Sequence, residues 1–159
     1  MTTHRMKFIA PLLLFLCSNL IALALGGLFT TDGVSSEWYQ SLNKAPWTPP
    51  GWVFGAAWTF LMCCFAVYMS IRWTKDQDKK KTLILYSIQW VLNVSWNPIF
   101  FYFHQNLLGL VDISLLLLTV IFIGISSLRT MRFHTLWILP YVLWLAIATS
   151  LNGYILFFN

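Results

Sequence analysis

The chain has 159 residues, of which 58% are hydrophobic, 18% aromatic and 9% charged, with a mean hydropathy of +0.70. Soluble domains carry about 25% charged residues, so this composition excludes a water-facing globule and indicates a membrane protein. Ten Lys and Arg against five Asp and Glu give a net charge of +5, but the basic residues sit in short segments between apolar runs. That pattern sets orientation in a membrane and argues against a nucleic-acid partner.

Five apolar stretches follow in chain order, at about 8–29, 51–73, 82–103, 107–128 and 136–158. Each approaches the roughly 20 residues that one crossing needs. Nothing alternates with period two, and lipid tolerates no unpaired backbone, so the stretches predict helices. The expected architecture is all-α: a five-transmembrane-helix bundle forming a single membrane domain over 1–159. Arg5, Lys7 and the small residues Ala22 and Ala24 give the first span some likeness to a cleavable signal peptide. The run continues through Leu28 and Phe29 and carries Ser18 and Asn19, which suits a retained helix packed on neighbours.

The loop 30–50 ends in Pro46-Trp47-Thr48-Pro49-Pro50, a rigid turn in which Thr48 is a candidate N-cap for the second span, with Pro49 or Pro50 at its first position. A long loop packed by its own aromatics suits a lid, and Trp38, Tyr39, Trp47 and Trp52 equally suit an interfacial anchor. The two roles are compatible.

Basic residues divide sharply between the two ends of such a bundle. Arg5, Lys7, Arg72, Lys75, Lys79, Lys80, Lys81, Arg129 and Arg132 fall on one side, and Lys44 stands alone on the other. The positive-inside rule then places the amino terminus inside and the carboxyl terminus outside. Cys17, Cys63 and Cys64 lie in apolar runs without metal-ligand spacing and read as core residues. His4 and His134 belong to the basic side and His104 to the other, so no shared metal or two-histidine haem ligation is expected.

No enzyme signature is present: there is no HExxH, phosphate loop or nucleophile elbow. The third span instead carries Gln89, Asn93, Trp96 and Asn97 at i, i+4, i+7 and i+8, with Phe100 at i+11, all on one face. Such amides commonly tie helices together. Pro98 is placed to kink or widen this helix. The fifth span carries Trp144, Ala148, Leu151 and Asn152 at the same spacing, with Ala146 as a further small residue, and the second presents Gly51, Gly55 and Trp58. Close packing of the GxxxG kind is the ordinary use of that glycine pair. Three helices that each offer an indole beside small or amide groups are also able to enclose a flat apolar ligand. Asp112, the one acid inside a span, reads as a structural hydrogen-bonding group.

These strings resemble a known family. Trp38-Tyr39, Leu42, Lys44, Pro46-Trp47-Thr48-Pro49-Pro50, Gly55 and Trp58 are similar to the first loop and second helix of the TspO/MBR family. Gln89, Leu92-Asn93, Trp96 and Pro98-Ile99-Phe100-Phe101 resemble its third helix and Asp112 its fourth. Pro140-Tyr141, Trp144-Leu145-Ala146, Ala148-Thr149 and Leu151-Asn152 resemble its fifth. The resemblance implies a five-helix receptor or carrier, commonly a homodimer, that binds tetrapyrroles such as protoporphyrin IX and haem under the first loop, with no obligatory cofactor. It implies pocket residues Tyr39, Pro49, Trp58, Gln89, Asn93, Trp96, Phe100, Trp144, Ala148 and Leu151. It also carries two alternatives: light- and oxygen-dependent porphyrin degradation, with Trp58 and Trp144 as the redox-active pair, and translocation of sterol or porphyrin. Five spans do not divide into the equal halves of a transporter. Tyr154 is followed by no basic residue, which departs from the sterol pattern of animal members, although Val34, Tyr39 and Lys44 satisfy its loose form. Ala45 before Pro46 is a second, small departure.

Overall fold

A computed structural model of the protein describes residues 2–159, with side chains from Lys7 onward; His4 and Arg5 therefore lie outside the described side chains. Its elements are α1 (Thr2–Ser35), α2 (Glu37–Ser41), α3 (Gly51–Lys75), α4 (Lys79–Asn97), a π turn (Pro98–Tyr102), α5 (Asn106–Met131), a 3-10 turn (Arg132–Ile138) and α6 (Leu139–Phe158). No strand occurs among the described residues. The five long helices are the five expected spans. Lys7–Ser35, Gly51–Lys75 and the stretch Asn106–Phe158, which folds back on itself as α5 and α6, are long and apolar enough to cross a membrane by composition. Helix α4 is the polar one, because its lysines and amides dilute the apolar face.

Several boundaries differ from expectation for local reasons. Helix α1 runs on to Ser35, and the short α2 follows with Ser36 as its N-cap, accepting from the Tyr39 amide, so only residues 42–50 of the loop are irregular. Thr48 does not cap α3. Its amide closes a turn on the Ala45 carbonyl at 2.9 Å, and Pro50 is the N-cap, without a side-chain bond, since its fixed φ of −56° leads directly into Gly51. Pro98 widens its helix as its sequence position suggested: it cannot donate, and the Phe103 amide reaches five residues back to the Pro98 carbonyl at 2.9 Å. This turn rotates Phe100 and Phe101 inward, where both are buried. Of the cysteines only Cys64 is core; Cys17 and Cys63 face outward, beside the exposed leucines and phenylalanines that lipid covers.

The basic half of the bundle is dense. Phe65 stacks between Tyr68 and Tyr86 at 6.2 and 6.1 Å, with Tyr141 edge-on at 5.3 Å. Burying these phenols requires partners for their hydroxyls. Tyr68 donates to the Ile123 carbonyl, Tyr86 donates to Asn19 Oδ1, and Tyr141 accepts from Gln89 Nε2. Asn19 in turn donates to the Met62 carbonyl at 3.0 Å and joins α1 to α3. Ser95 donates to Asp112 Oδ1 at 2.8 Å and joins α4 to α5, the structural role expected of that acid.

Arg72, 2% exposed at the end of α3, fastens this half. Its Nη1 donates to the Ile123 carbonyl and to the Ser126 and Ser127 hydroxyls, its Nε donates to Thr82, and Asp76 pairs with it at 3.5 Å. One guanidinium thus joins α3, α4 and α5. Burial raises the Asp76 carboxyl, but bonds from the Thr82 hydroxyl and Asp78 amide, with the Arg72 and Lys79 charges, outweigh it and hold the group below its ordinary 3.8.

Arg72→Ala should lower the unfolding free energy by about 3 kcal/mol, read from thermal or denaturant melts in detergent. Because the folded carboxyl of Asp76 titrates lower than the unfolded one, its stabilising share is present above pH 3.8 and is lost as pH falls through the lower folded value. Asp76→Asn should flatten that acidic limb of the stability profile; an unchanged limb would assign it to another group.

Candidate ligand-binding cavity

The opposite half of the bundle is hollow. A cavity of about 710 Å³ lies between α1, α3, α4 with its π turn, and α6, and is roofed by α2 and the loop after it. The volume falls within the roughly 300–1,000 Å³ typical of small-molecule sites. Helix α3 contributes Gly51, Phe54, Gly55 and Trp58; α4 and the turn contribute Asn93, Trp96, Asn97, Phe100 and Phe101; α6 contributes Ala148, Leu151, Asn152 and Ile155. The roof supplies Tyr39, Gln40, Lys44, Thr48 and Pro49.

Eight of the ten expected pocket residues meet on this wall: Tyr39, Pro49, Trp58, Asn93, Trp96, Phe100, Ala148 and Leu151. Two do not. Gln89 sits one turn beyond Asn93 toward the dense half, 1% exposed, where it is committed to Tyr141. Trp144 packs behind the wall, edge-on to Phe54 at 5.6 Å, with its Nε1 buried and unpaired. Both lie on the predicted helix faces, but each is a turn too deep. Ala146 faces outward and leaves the small-residue role to Ala148.

Helix α1 is the wall that the sequence reading left out. Ala22, Leu23, Gly26, Gly27, Thr30, Thr31 and Val34 all line the cavity. The pairs Gly26-Gly27 and Thr30-Thr31, in an otherwise apolar span, were the available signal. A Cβ on Gly26 would come within 2.6 Å of Asn97, and one on Gly33 within 2.5 Å of Phe101, so these two glycines allow α1 and α4 to approach closely. Gly51 and Gly55 behave differently. A Cβ on either meets nothing within 4 Å, so they face open space and do not serve the close packing that a GxxxG pair ordinarily supports.

Most amides around the hollow are already paired. Asn97 Oδ1 accepts from Thr30 at 2.6 Å and its Nδ2 donates to the Asn93 carbonyl. Asn152 accepts from Trp96 Nε1 at 3.2 Å and donates to the Ala148 carbonyl. Asn93 is the exception, since its Nδ2 has only the Met62 sulfur at 4.0 Å. One amide at the floor is therefore free for a ligand. Trp96 and Phe100 stack at 5.4 Å and 9°, and both line the cavity.

The roof is fixed from one side. Trp38 stacks on His104 at 4.0 Å and 14°, Trp47 Nε1 donates to Ser150 at 3.1 Å, and Asn43 exchanges hydrogen bonds with Asn159 at the end of α6. Trp47 and Trp52 stay more than half exposed, as interfacial anchors do, whereas Trp38 and Tyr39 pack inward against Phe100. Burial pushes the Tyr39 phenol upward and keeps it neutral. Lys44 lies 4.8 Å from the Tyr39 ring centroid and 3.4 Å from the Gln40 carbonyl, with no carboxylate partner among the described residues. His104 is at the roofed end and His134, near Lys75, at the basic end, and no group of three metal-ligating side chains occurs among the described residues.

Comparison with known proteins agrees with this architecture. The family model described as "TspO/MBR family" matches residues 14–158. A tryptophan-rich protein TspO from Chlorobaculum tepidum is 33% identical over 153 residues, covering 93% of this chain and 96% of the relative. A tryptophan-rich sensory protein from Cereibacter sphaeroides is 30% identical over 116 residues, 73% of each chain. The translocator protein of Bos taurus is 33% identical over 132 residues, covering 77% of this chain and 75% of the relative. With the five-helix bundle, its roofed cavity and a match over nearly its whole length, the chain belongs to the TspO/MBR family of integral membrane proteins.

Proposed function

We propose that the protein is a membrane receptor or carrier whose cavity binds a tetrapyrrole such as protoporphyrin IX or haem. The observation that carries this reading is the size and lining of the hollow: a space of about 710 Å³ lined by the stacked Trp96 and Phe100 and by Trp58, with one free amide at Asn93 and one cation at Lys44. Affinity then comes mainly from buried aromatic and aliphatic area, at about 25 cal/mol per Å², with polar groups fixing orientation. Lys44 is placed at the roof to attract a propionate, while the ring system lies deeper. Binding is favoured over light-driven degradation because, of the two indoles that the degradation reading pairs, only Trp58 faces the cavity. The same proposal keeps the basic end inside and the roofed end outside, by the charge asymmetry of the loops.

Trp58→Ala should weaken protoporphyrin IX binding by about 2 kcal/mol, roughly 30-fold, as loss of an aromatic anchor does. Trp144→Ala should cost clearly less, because its ring packs on Phe54 and does not line the hollow. Fluorescence-quenching titrations of both variants decide; equal affinities for wild type and Trp58→Ala would remove the cavity from the proposal. Lys44→Gln should weaken the dicarboxylic porphyrin about fivefold, near 1 kcal/mol for a partly solvated pair, and leave its dimethyl ester unaffected. An equal loss for acid and ester would mean that Lys44 acts on the loop and not on the ligand.

A further inference from the structure

Which way the hollow opens follows from its glycines. Gly51 and Gly55 both line the cavity, and both are exposed. Opposite them on α1, Gly27 also lines the cavity, and a Cβ added at Gly27, Gly51 or Gly55 meets nothing within 4 Å. Toward the basic end the same two helices are in tight contact, through Asn19 and the Met62 carbonyl at 3.0 Å and through Phe15 and Trp73 at 6.2 Å. Helices α1 and α3 therefore diverge from that contact toward the roof, and the cavity reaches the surface between them. The rims are apolar and outward: Leu28, next to Gly27 on α1, and Trp52, next to Gly51 on α3, are exposed large side chains. Surface of that kind faces acyl chains in a membrane protein, so the slot opens on lipid.

The roof, by contrast, is fastened on the far side, to α6 by Asn43–Asn159 and Trp47–Ser150 and to the π-turn side by Trp38–His104. We infer that the cavity communicates laterally with the bilayer through a slot between α1 and α3, framed by Gly27, Gly51 and Gly55, and that apolar ligands reach it from the membrane without the roof lifting. The opening itself is a property of the fold; its use by a ligand rests on the binding function proposed above.

Two measurements on the full chain in phosphatidylcholine vesicles separate these points. A phosphatidylcholine carrying a diazirine on its acyl tail should, on illumination, label the segment Asn93–Trp96 at the floor and wall, and Gly55→Leu or Gly27→Leu should abolish that label. Labelling confined to outward residues such as Leu25 and Phe60 would overturn the slot, whether or not any porphyrin binds. In stopped-flow experiments with protoporphyrin IX pre-partitioned into the vesicles, Gly55→Leu should slow association and dissociation together, by roughly tenfold each. Asn159→Ala, which removes the side chain that bonds the Asn43 backbone N–H and carbonyl and so loosens the roof, should leave both rates as in wild type. Faster association in Asn159→Ala, or unaltered association in both glycine variants, would show that ligand passes under the roof instead. Absence of any porphyrin signal in the wild type would count against the tetrapyrrole reading alone, and the labelling result would still decide the slot.

Discussion

Hydrocarbon offers no partner to an amide or hydroxyl, so polar side chains in the spans bond back to their own helix, as Ser70, Ser114 and Thr119 do to the carbonyl four residues earlier, or across a helix interface. The bundle is organised by that requirement. Gln89 reaches Tyr141, Asn19 reaches the Met62 carbonyl and Tyr86, Ser95 reaches Asp112, Asn97 reaches Thr30, and Asn152 reaches Trp96. Each bond joins two different long helices, and together they tie α4 to α1, α5 and α6. The polarity that leaves α4 poor as an isolated membrane span makes it the hub of the assembly. Asn93 stands in the middle of the same stripe without a comparable bond, and the space beside it is the cavity.

Density and hollowness are divided along the helix axes by residue size. Phe65, Met62, Met69, Ile113, Leu116 and Leu145 are all buried in this half, and Arg72 closes its end by satisfying oxygens of α5. Toward the roof the inward positions become Gly26, Gly27, Gly51, Gly55 and Ala148. Small residues can either draw backbones together or leave room. Gly26 and Gly33 do the first, against Asn97 and Phe101, and Gly51 and Gly55 do the second. Aromatic rings then shape the remaining room, because the π turn at Pro98 swings Phe100 parallel to Trp96 and lets Tyr39 pack edge-on against it.

Much of this was legible in the sequence because periodicity reports faces directly. The five spans, the one-faced stripe from Gln89 to Phe100, the widening at Pro98 and the meeting of Trp58, Trp96 and Ala148 all follow from helical spacing and the behaviour of proline. Depth along a face is another matter. Gln89 and Asn93 are one turn apart on one stripe, and Trp144 and Ala148 likewise, yet only the second of each pair reaches the hollow, because the boundary between dense and open halves is set by residues on other helices. The part played by α1 was hidden for a related reason: its side of the cavity is built largely from small residues, Gly26, Gly27, Thr30 and Thr31, which contribute to a wall by leaving free the space in front of them. The direction in which a glycine pair acts, packing or clearing, depends on what the partner helix presents.

The division into two halves also explains how such a bundle can hold an open cavity at all. An unfilled apolar space forfeits dispersion contacts on every wall, at about 20 cal/mol per Å² of cavity surface by the measure of engineered cavities, and a small helical protein cannot sustain many such losses. Here the loss is confined to one end, while the other carries the aromatic stack, the Arg72 network and most of the interhelical bonds. The roofed end keeps its shape through a few directional ties, Thr30 to Asn97, Trp96 to Asn152 and Asn43 to Asn159, which fix the walls without filling the space between them. A guest of the kind proposed would restore the missing contacts at little cost in reorganisation, since Trp96 and Phe100 are already held against one another. The dense half supplies the rigidity, and the small residues of the open half determine where that rigidity leaves room.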